Sequence, residues 1–253
     1  MASRCEAMRS QRERVHPGWF RKVTCRVTAS VPEVASHRWL AMVWHVMNLS
    51  VSSPTSSVGS SILRGTVGFA AVSLAGFSVW AFAGRWFYRN TGEVGLYLAC
   101  AVVFLGLSGI LLHPLLHGPG SLIRFYKVFI PAFMAYAVVW CAAWFVGKTG
   151  VGEWVGSLAG SLVFTVLIGR SLGNLQSWCW AAAVMFVAHS AGYFLGGKLM
   201  SWMIGPGGAE MFAGMAKSQI TLMAKLGWGL LYGLGFGGGL GHAFFVFQKA
   251  TKP

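Results

Sequence analysis

Apolar residues along this chain gather into long runs that no charge interrupts. Residues 65–84, between Arg64 and Arg85, make a run of 20, and the interval between Glu93 and Arg124 holds 30. Another 20 lie between Lys127 and Lys148, residues 171–197 supply 27, and 226–248 close the set with 23. A helix needs about 20 apolar residues to cross a bilayer, so each run is long enough. The stretch 151–169 is shorter, because Glu153 leaves 16 uncharged residues behind it. With that carboxylate at the interface and Trp154 as an anchor, it also spans. Lipid offers no partners for unpaired backbone N–H and C=O groups, so open sheet is excluded and helix is the default. The pattern predicts an all-α polytopic membrane protein with six transmembrane helices, near 65–84, 94–113, 128–147, 151–169, 175–198 and 225–248.

Two connections are long. Residues 113–127 contain the helix breakers Pro114, Gly118, Pro119 and Gly120, and residues 199–224 contain Gly205-Pro206-Gly207-Gly208. In the second, Glu210, Lys217, Thr221 and Lys225 fall on one helical face, with Met211, Met215, Leu222 and Leu226 beside them. Such a two-faced pattern predicts an amphipathic helix on the membrane surface between the fifth and sixth segments.

Glycine spacing is the strongest local pattern. Gly229, Gly233, Gly237 and Gly241 recur at every fourth residue of the last segment, with Gly235 and Gly239 as a second row. The fourth segment has Gly152, Gly156 and Gly160, and the fifth Gly192 and Gly196. In lipid, small residues at i and i+4 let another backbone approach closely. These rows predict helix packing, read as a core of the fourth, fifth and sixth segments or as an interface in a homo-oligomer or membrane complex.

Composition sharpens this picture. The 253 residues are 55% hydrophobic and 10% charged, with a mean hydropathy of +0.61, which leaves too little polar surface for a soluble globule. Lys and Arg number 20 against 6 acids, every acid being Glu, so mechanisms that need aspartates have nothing to draw on. Most of the basic excess sits at the ends of apolar runs, where it meets lipid headgroups rather than nucleic acid. Residues 1–46 hold 8 of the 20 basic residues and read as a basic extension, a misassigned start or a targeting segment. A Ser-rich linker, 47–64, follows; residues 65–248 form the membrane domain and 249–253 a short basic tail. From residue 47 onward the basic residues divide evenly between the two faces, and the extension tips the balance toward cytoplasmic termini in a bacterial-type inner membrane.

Candidate chemistry is sparse. Five Cys without a CxxC indicate neither a disulfide framework nor a zinc site. Gly106-Leu107-Ser108-Gly109 has the GxSG form of rhomboid proteases, but the second-helix His/Asn pair of that family is missing and Ser108 falls in the second segment rather than the fourth. Intramembrane ionisable residues are functional candidates. His113, His189 and His242, on the second, fifth and sixth segments, could together bind a haem or transition metal. Glu153 is the acid most easily drawn into the bundle, and so the candidate coupling residue. The resulting expectation is a small transporter, channel or assembly component. A haem- or metal-linked redox subunit is the alternative; the cofactor is left unassigned.

Overall fold

A computed structural model describes residues 57–249. The basic extension 1–46, the Ser-rich stretch as far as residue 56 and residues 250–253 of the basic tail lie outside the described residues. The expected all-α membrane architecture is present: among the described residues 90% are helical, none is in a strand, and six helices are long and apolar enough to cross a membrane. In chain order these are α1 (Val58–Asn90), α2 (Gly92–Leu112), α3 (Ser121–Gly147), α4 (Glu153–Ser171) and α5 (Trp178–Ile204), then the short α6 (Pro206–Met211), and α7 (Lys217–Lys249) as the sixth span.

The helices run past the charge-free intervals. Helix α1 begins at Val58, so residues 58–64 are helix rather than linker, with Ser57 accepting the Ser60 N–H as N-cap. Helix α3 takes in Arg124 and Lys127, and α5 takes in Lys198. Charge-free runs mark only the hydrocarbon-facing length, whereas a helix persists into the headgroup region where basic side chains are hydrated. The surface-helix pattern divides for the same reason. Only α6 occupies that connection, and Lys217, Thr221 and Lys225 belong to the first turns of α7.

Helix α7 is the axis of the bundle, packed between α1 and α5, while α4 pairs with α3. The glycine rows explain why. A Cβ at Gly233 would stand 2.6 Å from the Ala70 Cα, one at Gly241 2.9 Å from the Ile62 Cα, and one at Gly237 against the Gly65 carbonyl, all on α1. On its other side a Cβ at Gly235 would come within 2.9 Å of the Gly192 Cα of α5. Gly229 meets Phe77 of α1, and Gly196 meets Trp228. Gly156 and Gly160 face Trp140 and Tyr136 of α3, and Gly152 faces the Ala143 carbonyl. The expected core of the fourth, fifth and sixth segments is therefore corrected. The α7 row pairs with the first span as well as the fifth, the α4 row pairs with the third, and all these rows are filled within the chain. Ser73 adds a hydrogen bond across the α1–α7 seam, 2.6 Å to the Gly229 carbonyl.

Because Ser61 lies against Gly241, the start of α1 and the end of α7 share one end of the bundle. The α2–α3 and α4–α5 connections join them there. Gln248 bonds the Leu115 carbonyl (2.8 Å) and accepts the His117 N–H (3.0 Å), and Asn174 donates to the Phe247 carbonyl (3.1 Å). At the opposite end α1 widens into a π turn, Val79–Ala83. There the Lys225 ammonium lies 4.3 Å from the Trp80 ring centroid and 3.4 Å from the Trp80 carbonyl.

Candidate functional site

Four helices, α3, α4, α5 and α7, carry aromatic and polar residues at successive turns, and their chemistry changes halfway along the bundle. Toward the end that holds the start of α1 and the close of α7, the interior is mostly phenylalanine, with Thr165 and His242 as its buried polar members. Phe125, Phe129, Phe164, Phe236, Phe244 and Phe247 are fully buried, with Ile168 and Leu240. Their rings interlock: Phe125 and Phe129 stack at 5.1 Å, Phe125 and Phe244 at 5.4 Å, and Phe164 meets Phe236 at 5.3 Å. One or two turns further, the same rows read Tyr136 and Trp140 on α3, Ser157 and Ser161 on α4, His189 and Tyr193 on α5, and Trp228 and Tyr232 on α7.

His189 is fully buried where the two halves meet. Its Nε2 lies 2.7 Å from the Tyr136 hydroxyl, and the Tyr232 ring stands edge-on to the imidazole at 5.7 Å. Phe236 forms its floor at 5.8 Å, and the Tyr193 ring stacks on it at 6.1 Å. The Tyr193 hydroxyl donates to Glu153 Oε1 at 3.1 Å. Glu153 is placed by a tight turn, Lys148–Gly152, in which Lys148 adopts a left-handed φ of 56° and the Gly150 N–H reaches Oε2 at 3.3 Å. Gly147 and Gly152 make the turn narrow enough, since a Cβ at Gly147 would lie 2.7 Å from the Gly152 Cα.

Most of the buried polar atoms without a hydrogen-bond partner among the described residues lie in or beside this polar half: His189 Nδ1, Trp140 Nε1, Trp228 Nε1, and the hydroxyls of Ser157, Ser161 and Ser190; Ser108 on α2 and His242 Nδ1 are the others. A buried polar group left unpaired costs about 1–3 kcal/mol, so a concentration of them points to a site built to meet polar species. No family model, curated protein or solved structure matches this chain.

The three histidines expected to converge are separated. His113 ends α2 and bonds Ser121 at 2.9 Å, and His242 lies beside Trp180 on the apolar half. Among the described residues no group of three or more His, Cys, Asp or Glu could hold a metal ion. The Ser108 hydroxyl is buried and bonds no histidine. Glu153, by contrast, is joined to the His189 cluster through Tyr193. The residues that sequence reasoning missed are Tyr136, Tyr193, Tyr232 and Trp140. Their signal was available: on α3 and α7 the row of buried rings changes from Phe to Tyr and Trp at one depth.

Proposed function

We propose that this chain is a small transporter of a bacterial-type inner membrane, with its termini cytoplasmic and His189 at the centre of its transport site. One observation carries the reading: a fully buried histidine at mid-bundle, held by Tyr136 at one ring nitrogen and unpartnered at the other. Intramembrane ionisable groups are costly and mark substrate or ion pathways. A polar upper half that ends on an interlocked phenylalanine plug has the character of a half-path, closed on the side of the termini. Transport would require the plug to rearrange, most simply by movement of α7 against α1 and α5 along its glycine rows.

The test is swelling of proteoliposomes in glycerol, urea, L-alanine, choline chloride and potassium chloride. The reading expects flux above protein-free vesicles for at least one of these solutes, lost in His189→Ala and reduced in Tyr136→Phe. Flux equal to that of empty vesicles throughout would overturn it.

A further inference from the structure

The geometry points to a proton path through the polar half, from the Glu153 carboxylate past the Tyr193 hydroxyl to Nδ1 of His189. This deepens the transporter reading and rests on it: the coupling ion is the proton, and it enters from the face opposite the termini.

Glu153 stands half-buried at that face, with one carboxylate oxygen on the Tyr193 hydroxyl and the other on the Gly150 N–H. Tyr193 and His189 are one turn apart on α5, a rise of about 6 Å, with their rings stacked at 27°. The path needs one bridging water across that interval. The titratable groups around His189 are Tyr136 from α3, Tyr232 from α7 and Tyr193 on its own helix, with Glu153 at the head of α4 and Ser157 and Ser161 behind it. Of the two lysines of α7 at this end, Lys225 is engaged by Trp80 and Lys217 is exposed at the first turn.

In the tautomer that carries its proton on Nε2, His189 donates to the Tyr136 oxygen, and Nδ1, which has no hydrogen-bond partner among the described residues, keeps a free lone pair. An external proton adds to the Glu153 carboxylate and forms an O–H bond. That bond then breaks as the proton passes to the Tyr193 oxygen, while the original Tyr193 proton passes to the bridging water and one of the water's own protons forms the new Nδ1–H bond. The carboxylate and the phenol are regenerated, His189 gains one positive charge, and no electrons change hands. The imidazolium then faces the Phe164–Phe236 plug, so the proton advances only when the plug moves. That is the condition for coupling.

The experiment adds a pH-sensitive dye inside the swelling vesicles, with wild type, Glu153→Gln and Tyr193→Phe compared under an imposed potential, with and without solute. The expected result is a change of internal pH that accompanies solute flux and falls about a hundredfold in Glu153→Gln, with Tyr193→Phe changed in the same direction. Matching circular dichroism and elution profiles show that the variants are folded. Solute flux without a pH change, or a pH change intact in Glu153→Gln, overturns the path and leaves the transporter standing. If no solute moves, a potential-driven pH change lost in Glu153→Gln still supports the path, and its absence overturns it.

Discussion

The hydroxyl of Tyr136 on α3 lies 2.7 Å from Nε2 of His189 on α5, 53 residues away in sequence, and both are buried. This bond joins two helices exactly where the interior passes from phenylalanine to polar aromatic. Tyr136→Phe would keep the ring and strand the imidazole nitrogen in a medium that offers it no other partner. The expected loss is about 1–3 kcal/mol, read as a lower Tm in detergent. An unchanged Tm would show that the pair contributes nothing to stability.

Gly237 tests the packing of the α7 axis. Its Cβ would meet the Gly65 carbonyl and stand 2.9 Å from the Phe69 Cβ, so Gly237→Ala must separate α1 from α7. Gly106 of α2 has nothing within 4 Å of a built Cβ. Thermal unfolding should therefore drop clearly for Gly237→Ala and hold or rise for Gly106→Ala, whose helix propensity improves by up to about 1 kcal/mol. Equal behaviour of the two would contradict the α1–α7 seam.

Phe236 is the keystone of the plug, in ring contact with Phe69, Phe133, Phe164, Tyr136 and His189. Phe236→Ala should cost about 3–5 kcal/mol. In vesicles it should also raise solute leak, because the floor of the polar half is removed. A destabilised variant with unaltered leak would mean that the plug seals nothing.

Lys225 gives a smaller effect. Replacing it with Met keeps the aliphatic stem and removes the ammonium from the Trp80 ring, an interaction worth about 0.5–2 kcal/mol. Amide exchange in the π turn Val79–Ala83 should quicken, while the cores of α1 and α7 stay protected. Exchange identical to wild type would remove Lys225 from the account of that turn.

Much of the fold was legible in the sequence because lipid imposes one strong rule: a long charge-free run becomes a helix. What that rule does not reach is where helices end, since Arg124, Lys127 and Lys198 are as comfortable in a helix at the headgroups as in a loop. The glycine rows announced close packing, but a smooth stripe does not name its partner. Gly233 and Gly237 face α1, the span most distant in sequence, and only the assembled bundle reveals it. His189 and Glu153 were visible as isolated ionisable groups. Their connection was not, because it runs through Tyr193, a residue that looks like ordinary filler until α4 and α5 pack together.

The central claim is that His189 is the transport site, and solute-driven swelling of proteoliposomes tests it most directly. The account predicts flux for at least one of glycerol, urea, L-alanine, choline chloride and potassium chloride in wild type, abolished in a folded His189→Ala variant. Flux in His189→Ala equal to wild type, or none in either beyond protein-free vesicles, would contradict it.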